Sequence, residues 1–275
     1  MTGVPSPATP ATELRQAALH WLAQCDAARK AAGVRRLAQT WAAGELALDN
    51  QAALNATQII PGRPEKPELV APRSVKRRAM HTPEGRAIMI HAIVHIEFNA
   101  INLALDAIWR FPGMPQAYYT DWLQVADEEA LHFTLLADHL QGLGYAYGDF
   151  PAHSSLWEMA DKTQHDPLAR MALVPRTMEA RGLDVVPSLR NKLVQAGDTA
   201  IAPIMDIILR DEIGHVAIGN RWYAWLCQQR GLEPIAACAQ LAEEYKAPAL
   251  RGPFNMEARR AAGFSEMELA ALATE

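Results

Sequence analysis

Two short runs set the chemistry open to this chain: Glu129-Ala130-Leu131-His132 and Glu212-Ile213-Gly214-His215. On a helix, Glu-x-x-His places an oxygen donor and an imidazole one turn apart on a single face. Each run follows a further glutamate by just over thirty residues, Glu97 before Glu129 and Glu179 before Glu212, and both of those acids sit in apolar helical patterns. Four helices could thus bring four carboxylates and two imidazoles to one point, the donor set of a site for two divalent metal ions. A single Glu-x-x-His also fits a surface salt link or a core histidine. Two copies plus two internal glutamates at nearly equal offsets favour the metal reading. With no cysteine pair nearby, carboxylates and imidazoles favour iron, or else manganese or a mixed iron–manganese pair, over thiolate-bound zinc. Without cations, buried acids of one sign repel, so a metal-free site should be loosened.

The elements that would carry these groups can be read from caps and periodicity. Thr82-Pro83-Glu84 supplies a hydroxyl cap, a proline at the first helical position and an acid in the first turn, predicting a helix over 82–111 that ends at Pro112-Gly113. Glu97 shares its stripe with Ile90, Ile93, Val94, Ile101 and Ala104, and so projects inward. His95 lies about 200° round the helix from Glu97, and it and His91, one turn before it, face elsewhere together with Asn99, Asn102 and Asp106, which reads as a polar network. A second helix is predicted over 115–141, with Val125, Trp122 and Tyr118 on the face of Glu129 as a lining for the site or as core aromatics. The aromatic- and glycine-bearing stretch 143–157 is the expected lid or crossover.

Asp166-Pro167 opens a third helix, and Pro175, four residues before Glu179, predicts a distortion beside the site. Arg176 is a candidate to face the cavity and pair with Glu179, with another carboxylate or with an acidic substrate, an exposed position being the alternative. Gly182 is read as breaking this helix, with 187–195 a short further segment. The fourth helix is expected over 199–229, ending before Gly231, with Trp222 seven residues beyond His215. Asp211 stands where it could accept a hydrogen bond from the imidazole of the partner helix, and Glu128 holds the matching place before Glu129.

The chain divides into a small, Pro-rich tail (1–12), an N-terminal helical extension (13–58, helices over 13–31 and 34–56), a proline-rich connector (59–81), the four-helix body (82–230) and a C-terminal wrapping segment (231–275). With 275 residues, 50% of them hydrophobic, it can bury a sizeable core. Charge and proline interrupt the apolar stretches short of the roughly 18–20 residues of a membrane span, so no membrane association is expected. The start lacks the features of a secretory signal. Cys25, Cys227 and Cys238, odd in number and without Cys-x-x-Cys, fit buried thiols in the cytoplasm. A formal charge of −5 argues against a dominant nucleic-acid surface, leaving Arg73, Lys76, Arg77 and Arg78 as the one basic cluster that could touch phosphate.

The motifs carry a resemblance. His91-Ala-Ile-Val-His95-Ile-Glu97, Glu129-x-x-His132, Met178-Glu179-Ala180-Arg181-Gly182-Leu183-Asp184 and Asp211-Glu212-Ile213-Gly214-His215 resemble the ferritin-like superfamily, in particular a bacterial family of ferritin-like proteins known mainly as a domain of unknown function. The likeness runs from about Gln16 to Phe264 and includes the connector PGRPEKPELV and the tail RGPFNMEAR. More distantly, the chain is similar to the di-iron hydroxylase that modifies a thiolated, prenylated adenosine in tRNA, and to rubrerythrins. The resemblance implies an all-α, ferritin-like four-helix bundle with a long crossover connection and extra N- and C-terminal helices. It implies two iron ions held by Glu97, Glu129, His132, Glu179, Glu212 and His215, with no catalytic residue assigned beyond these ligands. Gly214 departs from some di-iron oxygenases, which carry arginine there. The expected activity is an O2-dependent oxidase or hydroxylase acting on an organic substrate with an external electron donor, and a homodimer is compatible. Iron oxidation and storage, or peroxide removal, is the second reading; a tRNA-modifying hydroxylase or a metal-stabilised binding module is the third. Fold-level likeness does not transfer a reaction.

Overall fold

A computed structural model describes residues 12–74 and 79–272. The Pro-rich start over 1–11 and Lys76, Arg77 and Arg78 of the basic cluster lie outside the described residues, while Arg73 sits in an exposed turn. Among the described residues the protein is all-α, with no strand. The first two helices are α1 (Leu14–Leu22) and α2 (Ala27–Ala42), and four long segments follow: α3 (Pro83–Arg110), α4 (Gln116–Gly142), a third described below, and α8 (Ala202–Arg230). Between α4 and the third segment lies the short α5 (Ser155–Lys162). α3 packs along α4, α4 also meets α8, and α1 and α2 cover α3 and α4 from outside.

The predicted cap of α3 forms, Thr82 Oγ1 accepting from Gly85 N at 3.0 Å. The apolar run here is longer than the sequence reading allows. α3 is long and apolar enough to cross a membrane, with mean hydropathy 1.5 in a window that is 78% buried. Its few charges reflect its position, since α1, α4 and α5 surround it and leave little of it to solvate.

The N-terminal helices are shorter than the periodicity predicts. Asp26 caps α2 by accepting from Arg29 N at 2.8 Å, and residues 43–56 are not helical. The reason is Arg15, whose buried guanidinium donates to the carbonyls of Asp49, Ala52 and Trp109 at 3.0, 2.8 and 2.7 Å. Irregular backbone leaves the first two carbonyls available, whereas a helix would consume them. Lys30, fully buried, similarly ties the connector to α3 by donating to Leu22 O, Gly62 O and Asn102 Oδ1, and burial lowers its ammonium pKa to about 7. Cys25 is exposed rather than buried, because it falls in the turn between α1 and α2.

The polar stripe on the back of α3 holds the stretch after α4. His95 Nε2 donates to His153 O at 3.1 Å and its Nδ1 accepts from Tyr147 Oη at 2.9 Å, while His91 Nε2 accepts from Gly148 N at 2.9 Å. Burial lowers both imidazoles to about 4, so they are neutral near pH 7. His91 and His95 therefore serve the 143–154 segment and lie outside the carboxylate cavity. That segment is pinned rather than free to act as a lid, and α5 replaces its expected irregular end.

The third segment corrects the reading of Gly182. α6 (Pro167–Leu173) opens on Asp166, widens into a π-helical turn at Val174–Glu179, and continues without a break as α7 (Ala180–Gln195). Pro175 has no N–H to donate, and the π turn absorbs the lost bond just where Glu179 emerges. Pro187 likewise frees the carbonyl of Leu183, and Asn255 Nδ2 donates to it at 3.1 Å. The tail supplies more: Arg259, buried between Phe254 and Phe264, donates to Asp184 Oδ1 and Oδ2 at 3.0 and 2.6 Å. α9 (Pro234–Glu244), α10 (Met256–Ala261) and α11 (Glu266–Leu272) complete the chain. α10 and its cap residue Asn255 thus restore the bond lost at Pro187 and clamp the turn around it.

α8 approaches the π turn closely at Gly219, where an added Cβ would lie 2.6 Å from Pro175 Cβ and 2.7 Å from its Cγ. A proline ring cannot swing aside. Gly219→Ala should therefore destabilise the protein by about 1–3 kcal/mol in urea denaturation and disturb the turn that carries Glu179. Gly182→Ala, whose Cβ would meet only Glu212 Oε2 at 3.9 Å, should be far milder by the same assay.

Candidate metal centre

Glu97 from α3, Glu129 and His132 from α4 and Glu212 from α8 are buried, and each offers one ligand atom within 4.8 Å of the others. Glu129 stands in the middle. Its Oε1 is 3.1 Å from His215 Nδ1 and its Oε2 is 3.4 Å from His132 Nδ1, while Glu97 Oε2 reaches His132 Nδ1 at 3.5 Å. Glu212 Oε2 lies 3.9 Å from His215 Nδ1. Glu179 lies on the wall of the adjoining cavity with Glu97, Glu129 and Glu212, outside the tightest group.

Two outer carboxylates orient the imidazoles in a crossed pattern. His132 Nε2 donates to Asp211 Oδ2 of α8 at 3.1 Å, and His215 Nε2 donates to Glu128 Oε2 of α4 at 2.8 Å. The antiparallel contact of α4 and α8 lets each helix supply the acid that holds the other's histidine. Both Nδ1 atoms consequently face inward. Glu97 Oε2, Glu129 Oε2, His132 Nδ1 and His215 Nδ1 are all buried, and beyond the ion-pair contacts among themselves none makes a well-formed hydrogen bond. Four such converging donor atoms would be costly in a purely structural core. They are the groups a cation would take.

The electrostatics are those of acids crowded together. Burial, and then the neighbouring Glu129, pushes the Glu97 carboxyl well above its ordinary range. Burial raises Glu179 to about 8, helped by Glu129 and Glu212, and raises Glu212 as well. Burial would lift Glu129 too, but His215 and His132 outweigh it and keep this carboxyl ionised. Burial opposes charge on both imidazoles, yet Asp211, Glu129 and Glu97 raise His132, while Glu129 and Glu128 raise His215. Asp211 itself is held at about 2, its burial outweighed by His132 and Arg210.

A cavity of 510 Å³ reaches the carboxylates from the side of α7, lined mainly by apolar residues such as Ile93, Ile96, Leu189, Met205 and Ile208. Three expected linings are elsewhere. Tyr118, Trp122 and Trp222 form an aromatic cluster, with Tyr118 edge-on to Trp222 at 5.3 Å and to Trp122 at 6.3 Å. They share the face of the ligands, but seven residues of helix is about 10 Å and eleven about 16 Å along the axis. They pack beyond the site, away from the cavity. Arg176 also turns away: it donates to Asn220 Oδ1 at 2.9 Å, pairs with Glu268 and lies over Tyr223 and Phe264, joining α8 to the tail. Of its expected partners it finds another carboxylate, not Glu179. The π turn moves Arg176 off the α-helical register that would have stacked it on Glu179.

Sequence reasoning gave no role to Arg181, on the cavity wall, or to the Asp184–Arg259 pair that fixes α7. The signal for the pair was its place in the two quoted motifs, but nothing in spacing joins residues so far apart.

A family profile described as "Protein of unknown function (DUF455)" matches residues 23–270. The chain belongs to this family. An "Uncharacterized protein" of Haemophilus influenzae (strain ATCC 51907 / DSM 11121 / KW20 / Rd) is 54% identical over 213 residues, covering 75% of this chain and 74% of the relative. No solved structure matches the chain significantly. The matched DUF455 region contains every residue of the candidate centre.

Proposed function

We propose that this protein is a ferritin-like di-metal carboxylate protein, an O2-dependent oxidase or hydroxylase of an organic substrate, with two iron ions, or manganese or a mixed pair, held by Glu97, Glu129, His132, Glu179, Glu212 and His215. The carrying observation is the convergence of four buried donor atoms from α3, α4 and α8, which meet only one another and make no well-formed hydrogen bond, at the end of an apolar cavity. Oxygen and nitrogen donors without thiolate suit iron or manganese. Such a pair, when bound, supplies the redox capacity that no side chain here has, and activates O2. The chain's own groups do the rest. Glu129 sits between the two imidazoles and would offer one oxygen toward each, Asp211 and Glu128 hold the rings in the tautomer that leaves Nδ1 free, and the apolar wall excludes water from the end of the cavity.

The cavity favours an organic substrate over iron storage or peroxide removal, neither of which needs an apolar chamber of this size. The test is metal content of the purified protein, then anaerobic Fe(II) loading and stopped-flow absorbance on mixing with O2. Near two irons per chain with a transient visible band is the expected result, and a single inert metal would overturn it. Asp211→Asn should weaken metal binding about 10- to 100-fold in competition with a chelator, because the His132 ring loses its anionic anchor.

A further inference from the structure

The cavity has an uneven distribution of polarity. Its inner end carries Glu97, Glu129, Glu179 and Glu212, and its walls are aliphatic. Its mouth is open and greasy: Ile96 is 49% exposed and Val185 48%, unusual for large apolar side chains on helices that otherwise bury theirs. Besides the carboxylates, the polar side chains that line it are His153, Ser155 and Arg181. Arg181 is exposed, and among the described residues it makes no hydrogen bond or ion pair, although most arginines of this protein are paired. An unpaired guanidinium beside an apolar opening is a receptor for an anionic group whose remainder is apolar.

We propose that the cavity takes a single-headed anionic amphiphile, a carboxylic acid with an aliphatic body, whose carboxylate pairs with Arg181 at the mouth and whose apolar end reaches toward the glutamates. This names the substrate class for the activity proposed above and rests on that reading for its chemical outcome, though not for binding. Orientation follows from charge. Arg181 stands at the mouth and the walls between it and the inner end are aliphatic, so the head stays at the guanidinium and the apolar portion enters first. Among the described residues Arg181 is the one Lys or Arg lining the cavity, and one guanidinium suits one negative charge, since its planar fork matches a carboxylate with two parallel hydrogen bonds. Aliphatic walls reward an unbranched or lightly branched body and give no partner to an internal polar group.

The experiment is calorimetric binding of decanoate and of decyltrimethylammonium to the full chain, with metal content measured on the same preparations. Decanoate should bind, decyltrimethylammonium should bind at least about tenfold more weakly, and Arg181→Gln should weaken decanoate about tenfold or more while Arg181→Lys restores part of the loss. Val185→Trp, at a position already half exposed, should block the mouth and weaken both probes. Equal binding of decanoate to wild type and Arg181→Gln would overturn the proposal, as would equal affinity for the two heads. If removal of metal by a chelator abolishes decanoate binding while Arg181→Gln does not, the head sits at the metals and the proposed orientation is wrong. Two metals per chain without decanoate binding would sink this inference and leave the di-metal reading standing. Decanoate binding through Arg181 in a protein that takes up no metal would do the reverse.

Discussion

Glu129→Ala should empty the centre of metal and destabilise the metal-free protein by about 3 kcal/mol, the cost of removing one member of a buried charged group. Glu129 is the one acid of the set that the protein itself keeps ionised, because its two oxygens stand 3.1 Å from His215 Nδ1 and 3.4 Å from His132 Nδ1. Its loss strands two buried imidazoles whose other nitrogens are already committed to Asp211 and Glu128. Glu97→Gln makes the contrast. Burial and the neighbouring Glu129 push the Glu97 carboxyl well above its ordinary range, so the metal-free fold favours its protonated form far more than that of Glu129, and glutamine copies the shape and polarity of that form. This variant should lose metal as fully as Glu129→Ala but unfold, with chelator present, at the same denaturant concentration as wild type or higher. Metal analysis and urea denaturation in chelator read both quantities. If the two variants are equally destabilised, Glu129 is not the counter-charge that organises the histidines.

The contrast also marks what the sequence could and could not reveal. Helix periodicity put Glu97, Glu129, His132, Glu212 and His215 on inward faces, since i and i+3 neighbours on a helix share a face whatever the rest of the chain does. The crossed Asp211–His132 and Glu128–His215 contacts were legible for the same reason, once α4 and α8 were taken as neighbours. Position along the axis was not. Tyr118, Trp122 and Trp222 lie on the correct face and up to three turns too far away. Proline and glycine misled where distant residues compensate: α7 survives Gly182 and Pro187 because Asn255 supplies the hydrogen bond that Pro187 cannot and Arg259 clamps Asp184. In the N-terminal region a buried arginine, Arg15, overrode a helical pattern over 43–56 by drawing two of its carbonyls. Each failure is a long-range contact that local spacing does not encode.

Metal loading should expel protons, and the carboxylates and imidazoles of the centre should contribute to stability with opposite pH slopes in the metal-free and metal-loaded proteins. Without metal, Glu179 titrates near 8 and Glu97 and Glu212 are raised, all above the ordinary 4.5, while His132 and His215 are raised above 6.5. At pH 7 the site therefore holds protons on atoms that a metal must take. Two or more leave per chain on loading, so apparent metal affinity should climb by about a hundredfold for each pH unit around neutrality. Stability without metal runs the other way. A group whose folded pKa lies above its unfolded value stabilises the fold below the unfolded value, and that contribution is lost as pH rises through the folded one. For Glu179 the window runs from 4.5 to about 8. Lys30, lowered to about 7, adds stability over the same range with or without metal, so the loss is read against a Glu179→Gln variant: relative to it, denaturation in chelator at pH 6.5, 7.5 and 8.5 should show stability falling by about 2 kcal/mol, while the Fe(II)-loaded protein, kept anaerobic, gains over the same range. His91 and His95 do not blur the comparison, because their lowered pKa of about 4 confines their contribution to pH below 6.5. Parallel slopes with and without metal would mean that the metal does not occupy these carboxylates and imidazoles. Opposite slopes would tie the stored protons of the empty centre to the cations that replace them.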